Sequence, residues 1–255
     1  MKFHLAINLE RMSPDTDIKA VRDHTLEMVK MADAAGFEIA WAAEHHALEM
    51  TIAPNPFQIL TWWGEHARNI RLGVGVVNAA YWHPINLAGE AAFLDLTSNG
   101  RLEFGIGSGA YQREFDRMKP GLDQKDSWRY MQEMLPVVQK LWQGDYAHDG
   151  EFWQFPTATS CPKPLQAQVP VARGHEGVSG PDLVAVFGLL DGQLRLAVHA
   201  VGERGAEARR NVLRDQDAGA LLPWLVGALW FLGPVLLRHS MNGLETGLIT
   251  LVTVV

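Results

Sequence analysis

Apolar positions along this chain come in two alternating rhythms. Short continuous apolar runs, the mark of buried strands, are followed by longer stretches in which apolar residues recur every three or four positions. Phe3–Leu9 opens as a strand, and Ser13-Pro-Asp-Thr-Asp forms a loop rich in capping residues. Val21, Thr25, Met28, Val29 and Ala32 then carry helical spacing over Ile18–Ala35, and Gly36 stands where a helix end favours a left-handed residue. Phe37–Ala43 is a second strand. Asn55-Pro56 opens a second helix that runs to about Ala67. Ile70–Val77 is a third strand, His83–Leu96 a third helix, Leu102–Ile106 a fourth strand and Ser127–Trp142 a fourth helix. Asp149-Gly150 signals a hairpin between Tyr146 and Phe152–Phe155.

Strands and helices in strict alternation build βαβ units on a parallel sheet, either doubly wound or closed as a (β/α)₈ barrel. Both gather ligands at the C-terminal ends of the strands. Three polar or glycine-rich clusters fall there: Glu44-His45-His46, Asn78–Trp82 and Gly107–Tyr111.

Beyond Arg173 the rhythm degrades. Leu183–Leu190 and Leu194–Val201 read as strands, Glu203–Gln216 as a charged helix and Thr246–Val255 as a β-branched apolar tail. Ala218–Leu237 has no charged residue, but Pro223 and Gly233-Pro234 interrupt it, which disfavours a membrane span. Composition changes at the same place. All seven lysines lie at or before Lys163, all four tyrosines at or before Tyr146, and Ile249 is the lone isoleucine past Arg173. The division is into residues 1–176 and a divergent segment, 177–255. The Ala/Gly/Leu/Val/Arg richness of that segment suggests a G+C-rich gene read in a shifted frame.

The whole chain has 255 residues, 47% of them hydrophobic, ample for a packed core. A net charge of −7 argues against nucleic-acid binding, which needs a basic surface. The single cysteine, Cys161, excludes an internal disulfide framework and a multi-thiolate zinc site. His83 and Glu90 lack metal-ligand spacing. MKFHLAINLE has no secretion-signal core, so a cytoplasmic protein is expected, with no membrane association.

The chemistry suggested by residue type centres on the histidine pair. On a strand end, adjacent side chains point oppositely, so one histidine faces the strand mouth and the other packs outward. The inward one suits general acid–base work, oriented by a neighbour such as Glu44. Gly105-Ile-Gly-Ser-Gly lacks the third glycine of a dinucleotide fingerprint. The glycines of Gly73-Val-Gly-Val-Val mark a close approach or a bulge. Trp62, Trp63, Tyr81 and Trp82 either line a substrate pocket or belong to the core.

Taken in order, FHLAINLE, ADAAGFEIAW, AEHH, NPF, IRLGVGV, HP, LDLTSNGRLEFGIGSG, GEFWQFP and CPKPLQ resemble the bacterial-luciferase-like flavin-dependent monooxygenases over about residues 1–176. The resemblance implies a (β/α)₈ TIM-type barrel, incomplete or distorted in the C-terminal third. It implies reduced FMN and O₂ as cofactors, a small, hydrophobic organic substrate, a separate flavin reductase and a homodimer. It casts His45, with Glu44, as catalytic, and His46, Tyr81 and Trp82 as substrate-facing. Gly75 and Val76 fall where the family often has a cis peptide under the flavin ring. Ser108 stands where some members carry a phosphate-binding arginine, and Arg173 and Gly174 are the candidates for the phosphate turn. Gly89 replaces the usual helix glutamate. A deazaflavin-dependent oxidoreductase of the same superfamily and a catalytically inert flavin-binding or dimerising barrel fragment are the alternatives. A phosphate-binding barrel lyase is disfavoured, because Lys119, Lys125 and Lys163 are poorly placed for Schiff-base chemistry.

Overall fold

The computed structural model describes residues 3–11, 13–173, 183–190, 193–200 and 250–254. The first strand, β1, is His4–Ile7; α1 is Ile18–Ala34, and β2 is Ile39–Ala42. Helix α2 is Pro56–His66. The expected third strand is split into β3, Arg71–Val74, and β4, Val77–Asn78. Then follow α3 (Pro84–Thr97), β5 (Leu102–Gly107), α4 (Gln112–Met118) and α5 (Trp128–Gln143). The hairpin is β6 (Tyr146–Asp149) and β7 (Gln154–Ala158), and β8 is Val171–Arg173. Late strands are β9 (Leu183–Leu190), β10 (Gln193–Ala200) and β11 (Thr250–Val254). The readings of 203–216 and 218–237 lie outside the described residues.

The chain divides into two compact units. One comprises Met1–Ala40, Glu49–Ile52 and Val178–Val255; the other comprises Trp41–Leu48 and Ala53–Gly177. In the first, β1 pairs antiparallel with β11, β11 with β9, and β9 with β10. An antiparallel partner beside β1 departs from the all-parallel pairing of a (β/α)₈ barrel. In the same unit, α1 starts at Asp17, whose side chain accepts the Lys19 N–H at 2.9 Å. The helix buries Val21, Thr25, Leu26, Met28, Val29 and Ala32, the stripe its spacing specified plus Leu26.

The second unit is the barrel-type α/β part. Here β5 lies between parallel neighbours: β3 and β4 on one side and β8 on the other. The Gly75 N–H donates to the carbonyl of Ala42, the last residue of β2, so β2 and β3 end at the same edge. Helix starts follow the sequence closely. Asn55 caps α2, accepting from the N–H groups of Phe57 and Gln58, with Pro56 in the first turn. The core holds Leu60, Trp63, Leu72, Val74, Leu87, Leu102, Phe104, Ile106, Phe115 and Met134, all at most 2% exposed. Each such side chain contributes about 1.5–3 kcal/mol on burial.

Several of the resemblance-bearing motifs prove to be joints in this frame. Buried Asp95 accepts the backbone N–H and the side-chain amide of Gln166, at 2.9 and 2.7 Å, tying LDLTSNG to CPKPLQ. The turn between α3 and β5 places Asn99 and Gly100 at positive φ. Arg101 then donates to the carbonyls of Gly64, Ala67, Ile70 and Ser98. Among the described residues, no helix is long and apolar enough to cross a membrane.

Candidate active site

The strand ends of the second unit bring together residues from three loops. Glu44, His45 and His46 follow β2. Asn78, Tyr81 and Trp82 follow β4, Asn78 being that strand's last residue. Tyr111, Glu114 and Phe115 follow β5, the last two on α4.

Glu44 is a buried hub. Its carboxylate accepts the Asn78 N–H at 2.6 Å and the Trp82 indole N–H at 2.8 Å, and pairs with His46 Nε2 at 2.6 Å. It therefore orients His46, not His45, correcting the expectation. The hydrogen bond to Glu44 holds the His46 imidazole above its ordinary pKa, against burial, which pulls it down; the charges of Glu44 and Glu114 add to the rise.

His45 is served by Glu114, a residue sequence reasoning missed. His45 Nδ1 lies 3.3 Å from Glu114 Oε2, and the other oxygen accepts the His46 backbone N–H at 2.6 Å. Arg117, one turn further along α4, donates to the Ala47 carbonyl, and Ala47 takes a left-handed φ of 51°. Thus α4 clamps the histidine loop twice. Both histidine side chains are largely buried, 15% and 19% exposed. They lie on the loop beyond Ala42, where β2 ends, so strand alternation does not fix their directions.

Aromatic rings line the arrangement. The His45 ring sits 5.6 Å from Tyr111, and His46 meets Tyr81 edge-on at 5.4 Å. Tyr81 in turn lies 5.2 Å from Phe115. Burial, then the charges of Glu114 and Glu44, push the Tyr81 phenol upward. Trp62 and Trp63 do not join them. Trp63 is fully buried core, whereas Trp62 lies along α2, 6.1 Å from His66.

The Gly75–Val76 peptide is cis and interrupts the third strand, with Gly75 exposed and Val76 half-buried. Gly73 in β3 and Gly75 just beyond it also have a packing reason. A Cβ on Gly73 would lie 2.3 Å from the Trp41 indole, and one on Gly75 would lie 3.3 Å from it. A Cβ on Gly105 would fall 1.9 Å from the Val74 carbonyl oxygen, so β5 needs glycine beside the interruption. Ser108 is half-buried, and its carbonyl accepts from the Ser127 hydroxyl. Arg173 pairs in register with Ile106 and so stands at the same edge as Ser108. Gly174 lies outside the described residues. Among those described, no group of three or more metal-ligating side chains forms.

A parallel α/β frame with a histidine–carboxylate site at its strand ends is the class of molecule defined here. A profile of the luciferase-like monooxygenases matches residues 1–188, and the chain belongs to that family. The oxygenase component of the flavin-dependent trigonelline monooxygenase of Acinetobacter baylyi is 47% identical over 170 residues, 67% of this chain and 47% of that protein. Limonene 1,2-monooxygenase of Rhodococcus erythropolis is 33% identical over 139 residues, 54% of this chain and 35% of that one. The crystal structure of monooxygenase RslO1 from Streptomyces bottropensis superposes with a TM-score of 0.62 at 29% identity, covering 68% of this chain and 53% of that one. The chain spans about half the length of the curated relatives it matches.

Proposed function

We propose that this chain carries the active-site half of a flavin-dependent monooxygenase, using FMN reduced by a separate reductase, and O₂, to oxygenate a small organic substrate. The observation that carries this reading is the open Nε2 of His45 at the strand-end edge, with its other ring nitrogen 3.3 Å from Glu114. His45, Gly75 and Val76 would meet the flavin ring, and Ser108, Arg173 and Gly174 its phosphate. A hydroxyl and an arginine position at one edge suit an anionic group. Bound reduced FMN supplies the electrons for O₂ activation. The protein's part is to bind, to exclude water, and to hold or accept a proton at His45 Nε2.

Tyr81, Trp82 and His46 would face the substrate, and their rings favour a hydrophobic or aromatic molecule. Trigonelline is the first compound to try, because a relative's name carries it. FMN is preferred over deazaflavin because that same relative is flavin-dependent. The homodimer belongs to the proposal too; Phe93 and Leu96, 52% and 42% exposed, put apolar surface on α3.

Titration with FMN tests the reading. Quenching of flavin fluorescence, saturating with the protein, is expected; no binding at high protein concentration favours the inert-fragment alternative. With reduced FMN and substrate supplied, His45→Ala should lower turnover by about 10²–10⁴-fold and leave FMN binding nearly unchanged. Retained turnover would refute the role of His45.

A further inference from the structure

We propose that Glu114 is a positioning residue that holds His45 as its Nδ1–H tautomer, so that Nε2 is kept as the site's open proton acceptor. The proposal deepens the reading of His45 as the proton-handling group and rests on it for its purpose, but its test runs without flavin.

An ionised carboxylate can only accept hydrogen bonds. Glu114 already receives a backbone N–H, that of His46, at 2.6 Å on Oε1. Its second oxygen, Oε2, lies 3.3 Å from His45 Nδ1, so Nδ1 must carry the hydrogen. A neutral imidazole has one N–H, and the tautomer is set by the bond its other nitrogen makes. His45 Nε2 is then the lone-pair nitrogen. It makes no hydrogen bond to any described residue, and the side chain is 15% exposed.

The neighbouring histidine is unsuited to the task. His46 Nε2 is engaged by Glu44 at 2.6 Å. Two carboxylates thus divide the pair: Glu44 engages His46 through Nε2, and Glu114 engages His45 through Nδ1. The second carboxylate is held in place by its helix. Glu114 is 3% exposed in its side chain, and Arg117 fastens the same face of α4 to the Ala47 carbonyl.

A purely structural role would need only the bond to the His46 N–H. Long-range ¹H–¹⁵N spectra of the full chain labelled at histidine separate the two, with His45→Gln identifying the resonances. In the wild type, at a pH where the ring is neutral, His45 should show a protonated Nδ1 and a bare Nε2. In Glu114→Gln, an amide oxygen can still receive the His46 N–H, and circular dichroism should report an unchanged fold. The Nδ1–H form should then lose its dominance, and the Nε2–H form favoured by free imidazole should emerge. A wild-type His45 already in the Nε2–H form would overturn the proposal, and so would a tautomer unchanged in Glu114→Gln. The wild-type spectrum decides even if the variant fails to fold. Absent FMN binding with the Nδ1–H tautomer present would sink the proposed function and leave this assignment standing.

Discussion

Glu44 ties its own loop to the one after β4, and this makes it a stability element as well as a site residue. Its partner His46 has a raised pKa in the folded chain. A raised histidine contributes stability that is fully present below its unfolded value of 6.5 and is lost as pH rises through the higher folded value. Urea midpoints measured across this range should therefore fall with rising pH in the wild type. Glu44→Gln should lower the midpoint at every pH, because the Asn78 N–H and Trp82 indole lose a charged acceptor. The drop should be largest on the acid side, flattening the curve; an unchanged slope would remove the His46 pair as its source. Residues of this kind were unequally legible. Glu44-His45-His46 stood out because three chemical side chains adjoin at a strand end. Glu114 did not, because it meets His45 across 69 residues and no spacing rule links a short helix to a loop that far back. Gly73 and Gly75 drew notice for the right position, but their immediate neighbour is the Trp41 ring, a contact that no linear pattern announces.

At the scale of elements, helix periodicity and capping residues placed α1, α2, α3 and α5 to within one or two residues, because each buries one stripe. Two things escaped. The third strand breaks at Gly75–Val76 inside a continuous apolar run, so periodicity missed the break, and only the resemblance marked that peptide as cis. Helix α4 has seven residues and buries only Glu114 and Phe115, too few for a period to show. The β6–β7 hairpin was announced by Asp149-Gly150, yet what holds it is Glu133 on α5. That carboxylate pairs with His148 at 2.9 Å and accepts the N–H groups of Glu151, Phe152 and Trp153. Burial pushes Glu133 upward, but the His148 ring and the Phe152 and Trp153 N–H groups together outweigh it and hold the carboxyl below its usual range. Its contribution is present above the unfolded value of 4.5 and disappears as pH falls through the folded one. Tyr130 stacking on Phe152 at 3.7 Å fastens the same turn by a contact indifferent to acid. Glu133→Ala should cost about 2–3 kcal/mol near neutral pH. It should also expose the hairpin to limited proteolysis at residues 149–153. Cleavage there no faster than in the wild type would show that Tyr130 alone suffices.

For the molecule as a whole, the change in composition past Arg173 carries the most consequence. Lysine, tyrosine and isoleucine codons are rich in A and T, whereas alanine, glycine and most arginine codons are rich in G and C. Reading a G+C-rich gene out of frame removes the first set and multiplies the second. The last lysine is Lys163, and the family match ends at residue 188, within β9. Strands β9 and β10 were legible as apolar runs, but apolar runs alone do not set direction. They pair antiparallel with each other, where the barrel pattern of the preceding units would add parallel strands separated by helices. A sequence that keeps hydrophobicity but loses helix–strand alternation still forms strands and forfeits the crossover that makes them parallel. Resequencing the gene should therefore reveal a one-base insertion or deletion between codons 165 and 188, with family-like sequence continuing in another frame beyond it. The chain restored to that frame should contain lysines in its C-terminal third and bind FMN more tightly than the present one, because the remaining βα units of the barrel would be supplied. If neither alternative frame encodes family-like sequence, the segment is a true divergence, and FMN affinity must then be measured on the chain as it stands.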